Sequence, residues 1–82
     1  MKEMDFADIH DFYENNRIEL TIAFAKQRNK ENKLQSVASQ QEATAFFAKK
    51  LEENNIHLKC SCINTFGHLL VHSVESMKLE EK

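Results

Sequence analysis

The stretch His57–Val74, HLKCSCINTFGHLLVHSV, contains both cysteines and three of the four histidines of the chain. Two segments, IHLKCSCI (56–63) and HLLVHSV (68–74), are joined there through NTFG. Short apolar-rich runs on either side of a turn sequence are typical of a β-hairpin, and Gly67, the only glycine, marks the sharpest turn. The stretch therefore predicts two antiparallel strands, and with them a fold that contains a sheet.

The register of this hairpin determines whether the cysteines and histidines share a face, because side chains alternate along a strand. A four-residue loop pairs Ile63 with His68 and separates the cysteines from the histidines. A three-residue loop instead pairs Asn64 with His68. In that second register three possible zinc ligands share a face, namely Cys60, Cys62 and His72.

The apolar pattern favours the four-residue loop, since this register gathers Cys60 and Cys62 with aliphatic side chains on one face. Cys-x-Cys spacing is also less usual for structural zinc than a wider spacing. We therefore expect two free thiols that pack as small hydrophobic groups, with no bound metal and no cofactor. A small zinc-binding domain built on Cys60, Cys62 and His72 is the alternative.

The opposite face of the predicted hairpin combines imidazole, lysine and apolar side chains. An exposed patch of this mixed kind commonly marks a surface for a partner protein or for a second copy of the chain. The competing interpretation is that the first helix covers this face. The residues expected to bind a partner are His57, Lys59, His68, Leu70, His72 and Val74.

The first helix and the first strand are predicted from local patterns. Asp5 is a suitable N-cap for a helix that Asn15 and Asn16 are expected to end. RIELTIAFA (17–25) then alternates apolar and other side chains, which favours a strand with one buried face. The alternative is that the helix continues through this stretch, because Glu, Leu, Ala and Lys are good helix formers.

The second helix has the clearest signals in the chain. Ser39 and Glu42 have the spacing of a capping box. Apolar side chains then follow at helical spacing, and Asn54 and Asn55 mark the end of the helix. These features predict a helix over SQQEATAFFAKKLEENN (39–55).

The predicted element order is αβαββ, which defines a small α+β fold with a three-stranded, mostly antiparallel sheet and two helices. Residues 1–82 are expected to form one domain, because 82 residues are few for more than one hydrophobic core. Residues 75–82 form a charged tail that we expect to fray. The edges of such a sheet could accept a strand from a partner protein.

Residues 26–36 are predicted to form a polar, basic loop between the first strand and the second helix. Four cations could hold phosphate groups there, namely Lys26, Arg28, Lys30 and Lys33. The loop has no aromatic side chain on which a base could stack, and the chain has a net charge of −2. A nucleic-acid-binding module is therefore the alternative function, and nucleic acid is not the expected partner.

The sequence also argues against several classes of protein. No H-E-x-x-H, G-x-S-x-G or paired-carboxylate pattern occurs, so we do not expect an enzyme. No apolar run approaches the roughly 20 residues of a membrane span, and the acidic N-terminal segment does not resemble a signal peptide, which predicts a cytoplasmic location.

We expect a non-enzymatic protein-interaction module, acting as an adaptor, regulator or inhibitor. It would bind another protein, or a second copy as a homodimer, through the outer face or edge of its sheet.

Overall fold

The computed structural model describes residues 2–33, 36–59 and 62–80. Its elements, in chain order, are β1 (Lys2–Met4), α1 (Phe6–Lys30), α2 (Gln40–Glu53), β2 (Ile56–Leu58) and α3 (Asn64–Glu80). The prediction of an α+β fold with a three-stranded, mostly antiparallel sheet is wrong. Within the described ranges the chain is mainly helical, and its sheet consists of β1 and β2 paired in parallel.

The first helix begins where predicted and continues well beyond its predicted end. The side chain of Asp5 accepts a hydrogen bond of 3.0 Å from the backbone N–H of Asp8, as an N-cap does. Asn16 does not end the helix, and its side-chain amide donates to the carbonyl of Phe12. Thr21 likewise donates its hydroxyl proton to the carbonyl of Arg17. Both side chains are satisfied within a continuous α1.

The predicted strand at residues 17–25 is therefore wrong, and its apolar side chains divide between two faces of α1. Leu20 and Phe24 are buried in the core, one helical turn apart. Ile18 and Ile22 lie on the opposite side and are exposed. An alternating pattern of four apolar residues contains two pairs at i, i+4 spacing, so it fits a helix that has apolar groups on two sides.

The predicted second helix is confirmed, with α2 covering Gln40–Glu53. The Ser39 hydroxyl oxygen accepts a hydrogen bond of 3.1 Å from the backbone N–H of Glu42. Asn54 caps the other end, and Asn55 adopts a left-handed conformation with φ of 58°. Asn is one of the residues that tolerate this conformation, which turns the chain from α2 into β2.

The predicted hairpin is wrong, although its first strand is correct over Ile56–Leu58. NTFG forms the first turn of α3, and the predicted strand at 68–74 lies inside this helix. Phe66, Leu70 and Val74 are spaced one turn apart, and all three are buried. The expected frayed tail is helical as far as Glu80. The basic segment 26–36 is also partly helical, since α1 continues to Lys30.

An aromatic cluster joins the three helices. The ring of Phe47 from α2 lies 5.2 Å from that of Phe66 in α3 and 5.9 Å from that of Tyr13 in α1, measured between centroids. Phe6 at the start of α1 also contacts Phe66, at 5.1 Å. Offset and edge-on ring pairs at these separations add to the stabilisation from buried apolar area. This cluster forms the centre of the core.

Gly67 lies where α3 approaches α2, and not in a turn as predicted. A Cβ atom at this position would overlap the Thr44 side chain. It would also lie 2.9 Å from the backbone nitrogen of Thr44 and 3.0 Å from the carbonyl oxygen of Gln40. Because backbone atoms cannot move aside as the end of a flexible side chain can, only glycine permits this separation of the two helices.

We expect Gly67→Ala to destabilise the protein. Alanine improves intrinsic helix propensity by up to about 1 kcal/mol, but overpacking against backbone costs about 1–3 kcal/mol. Urea denaturation followed by circular dichroism should show a net loss of about 1 kcal/mol in the free energy of unfolding. Ser76→Ala, on an exposed position of α3, is the control and should change it by less than about 0.5 kcal/mol. A stabilised Gly67→Ala variant would show that the helices are not in close contact here.

Candidate protein-binding groove

The residues predicted to bind a partner do not form one surface. Leu70 and Val74 are buried in the core, with exposed fractions of 0% and 2%, so they are not accessible to a partner. His57 and Lys59 are exposed in and directly after β2. The sheet face that was expected to carry these residues does not exist, because the predicted third strand is part of α3.

His68 and His72 lie on the exposed side of α3, one turn apart. Their ring centroids are 4.5 Å apart and the rings meet edge to face. This contact follows from helical spacing within α3, and not from a hairpin.

An open groove of about 840 Å³ lies between α1 and α3. Ile18 and Ile22 form part of its α1 side, with 69% and 41% of their surface exposed. Glu14 and Arg17 flank them with opposite charges. Single exposed apolar side chains are normal on a protein surface, but large aliphatic side chains exposed next to each other on a groove indicate an interaction surface.

The α3 side of the groove contains Leu69, His72 and Met77. Leu69 and Met77 are half-buried, and His72 is exposed at the rim. Methionine adapts its shape to different apolar partners because its side chain is unbranched and flexible. His72 is the one predicted partner-binding residue that lines this groove.

Tyr13 and Ser73 join the two sides of the groove at its floor. Their hydroxyl oxygens are 3.2 Å apart, within hydrogen-bond distance. Burial raises the pKa of Tyr13 above its ordinary value, and the hydrogen bond to Ser73 opposes this shift. The phenol therefore stays neutral at physiological pH, and it provides an uncharged floor that holds α1 and α3 together.

Sequence reasoning missed Ile18 and Ile22 as site residues because it placed them on the buried face of a strand. The signal that identifies them is their i, i+4 spacing within a helix whose buried face consists of other residues. This spacing indicates a surface site only once Leu20 and Phe24 are known to be the buried residues of the helix.

The zinc site considered as an alternative is not supported by the position of its ligands. Cys62 is disulfide-bonded, so the expectation of a free thiol at this position is wrong and its sulfur is not a thiolate ligand. Cys60 lies outside the described residues. His72 faces solvent beside the groove. Among the residues that the structure describes, no group of three potential ligands lies close enough to hold a metal ion.

The four cations predicted to bind phosphate have different surroundings. Lys26 and Lys30 are exposed on the last turns of α1 and share a shallow cleft with Lys49 of α2. Lys33 lies 3.4 Å from the carboxylate of Glu31, which also lines this cleft. The cleft thus brings three lysines together, including Lys49 from outside the basic segment 26–36.

Arg28, the fourth of these cations, is a structural residue. It is 1% exposed, and its Nη2 donates to the carbonyls of Lys33 and Ser36 at 2.7 and 2.8 Å and to the Ser36 hydroxyl. The Glu42 carboxylate is 3.7 Å from its Nη1. The guanidinium also lies above the ring of Phe24. These contacts connect the end of α1 to the following loop and to the start of α2, and they leave Arg28 inaccessible to a phosphate ligand.

We expect Arg28→Met to lower the free energy of unfolding by about 2–3 kcal/mol, because it removes charge-assisted hydrogen bonds to carbonyl groups of the loop. The measurement is urea denaturation followed by circular dichroism. Lys30→Met removes an exposed charge from the same helix and should change the free energy of unfolding by less than about 0.5 kcal/mol. Equal effects of the two substitutions would contradict a structural role for Arg28.

No helix in the described part of the chain is long and apolar enough to cross a membrane. The predicted cytoplasmic location stays a prediction, and the disulfide at Cys62 counts against it because such bonds are rare in reducing compartments. The sequence matches no protein-family model, and comparison with curated proteins and with solved structures found no match.

Proposed function

We propose that this protein is a non-enzymatic protein-interaction module that binds a helix of its partner in the groove between α1 and α3. The observation that supports the proposal most strongly is the exposure of Ile18 and Ile22 side by side on this groove. Transfer of an aliphatic side chain from water to an apolar contact contributes about 1.5–3 kcal/mol when burial is complete. A partner that covers both isoleucines would gain much of this free energy.

The shape of the groove favours a helix as the bound element. Two neighbouring helices present a channel between their side-chain ridges, and a third helix can place its own ridge there. Peptides that bind in this way use apolar anchors at i, i+3 or i+4 spacing. Ile18 and Ile22 provide anchors of the same spacing on the α1 side, while Leu69 and Met77 provide apolar surface on the α3 side.

The other exposed apolar side chains are less suited to binding. Phe6 is 41% exposed but packs against the rings of His10 and Phe66. Val37 is 76% exposed in the connection between α1 and α2 and does not line the groove. A single exposed valine is normal for a protein surface, whereas a pair of isoleucines on a groove is a potential hot spot.

The cleft with Lys26, Lys30 and Lys49 supports the alternative, nucleic-acid binding, less well. Glu31 lines the same cleft and reduces its positive charge, and none of the described residues lining it is aromatic. Arg28 is buried and cannot contribute a phosphate contact. The groove offers apolar area that a partner protein could bury, so we favour the interaction module, acting as an adaptor, regulator or inhibitor.

The test is affinity capture with the complete chain as bait and with two matched variants. Ile18→Asp places a charge in the groove and should reduce the captured partner at least about tenfold, because a buried unpaired carboxylate is costly. Val37→Asp introduces the same charge at an exposed aliphatic position outside the groove and should capture as much as the unmodified chain. Circular dichroism should show that both variants are folded.

Equal capture by Ile18→Asp and by the unmodified chain would rule out the groove as the binding site. Loss of capture by Val37→Asp, with Ile18→Asp unaffected, would place binding on the connection between α1 and α2.

A further inference from the structure

Charges of opposite sign are separated along α1. Exposed acidic side chains occupy its first half, namely Asp8, Asp11 and Glu14. Exposed lysines occupy its last turns, namely Lys26 and Lys30. Arg17 and Glu19, of opposite sign, lie near the middle. The helix thus has an acidic end and a basic end, with the apolar pair Ile18 and Ile22 between them.

One exposed stripe of α1 contains Asp11 from the acidic end, Lys26 from the basic end, and between them Ile18 and Ile22, which also line the groove. Successive members are three or four residues apart, so they fall on the same side of the helix. Every member is exposed: Asp11, Asn15, Ile18, Ile22, Lys26 and Asn29. At about 1.5 Å per residue the stripe is roughly 27 Å long. This is the length over which two helices could pack against each other.

The stripe is complementary to itself when a second copy runs in the opposite direction. Ile18 and Ile22 are equally distant from Leu20, and so are Glu14 and Lys26. A two-fold axis level with Leu20 therefore brings Ile18 of one copy next to Ile22 of the other. The same axis brings the acidic end of each helix to the basic end of the other. Parallel packing would instead place acidic ends together and basic ends together.

We propose that the partner helix bound in the groove is α1 of a second copy, packed antiparallel about this two-fold axis. This inference rests on the proposed function, since it identifies the helix that the groove accepts. Ile22 of the second copy would contact Ile18 and, on the α3 side of the groove, Met77. Opposite charges at the two ends fix the direction of packing, as they do between helices of coiled coils.

An axis level with Leu20 would also bring two like charges together. Glu19 lies one residue from the level of Leu20, at the edge of the exposed stripe. An antiparallel two-fold relation keeps the two Glu19 side chains on the same side of the helix pair, within a few residues of the axis. The pair of carboxylates repels, so removal of this charge should strengthen the dimer.

The experiment is sedimentation equilibrium of the complete chain at micromolar to near-millimolar concentrations. We expect a reversible monomer–dimer equilibrium. Ile18→Asp should raise the dissociation constant of the dimer at least about tenfold, whereas Val37→Asp should leave it unchanged. Circular dichroism should confirm that both variants are folded. An unmodified chain that stays monomeric throughout, or a dimer that Ile18→Asp does not weaken, would overturn the proposal.

Charge reversal tests the direction of packing. Asp11→Lys with Glu14→Lys, and separately Lys26→Glu with Lys30→Glu, should each weaken the dimer because the ends then repel. All four changes in one chain should restore it, since positions 14 and 26, which face each other across the axis, have then exchanged their charges. Glu19→Gln should tighten the dimer by a few-fold. Failure of the fourfold variant to recover, while its circular dichroism matches that of the other variants, would exclude the antiparallel arrangement.

The two proposals fail in different ways. A monomeric chain whose groove still captures a protein, with capture lost in Ile18→Asp, would refute self-association and support the interaction module with a different partner. A dimer that depends on Ile18, combined with capture that does not, would support self-association and refute the groove as the site for other proteins.

Discussion

The close approach of α3 to α2 at Gly67 is the constraint on which the rest of the structure depends. The missing Cβ lets the two helices meet at backbone distance from Thr44 and Gln40. Phe66, the neighbouring residue, then reaches the aromatic rings of Phe47 and Tyr13. This geometry holds α3 firmly on α2, while its contact with α1 leaves an open groove above Tyr13 and Ser73. The candidate site is thus a consequence of how the core packs.

Local signals predicted the beginnings of α1 and α2 correctly, and tertiary contacts explain the failures. Asp5 and Ser39 bind backbone N–H groups of their own helices, so their roles can be recognised without knowledge of the fold. The alternation in RIELTIAFA fits a strand or a helix, and the contact of Phe24 with Phe46 in α2 favours the helix. Glycine is common in turns, so the sequence predicts a turn at Gly67. In the structure, glycine is required there because α2 lies too close for a Cβ atom.

Little of the site was predicted because its residues are defined by tertiary contacts and not by local signals. In a helix, Leu70 and Val74 are buried and Ile18 and Ile22 are exposed. The strand period predicted for these segments places Ile18 and Ile22 in the core and Leu70 and Val74 on the surface, which is the reverse. Arg28 was assigned to phosphate because of its charge, but the carbonyls of its own loop surround it. Most of the binding residues predicted from the sequence are charged side chains or histidines. In this fold the informative surface residues are two aliphatic ones.

Ile18 and Ile22 of α1 are proposed to form the interface with a second copy of the chain. The most direct measurement is an isotope-filtered NOE experiment on a mixture of ¹³C-labelled and unlabelled protein, which detects only contacts between copies. We expect NOEs between the Ile18 methyl groups of one copy and the Ile22 methyl groups of the other. Intermolecular NOEs that involve neither isoleucine, or none in a concentrated sample, would contradict it.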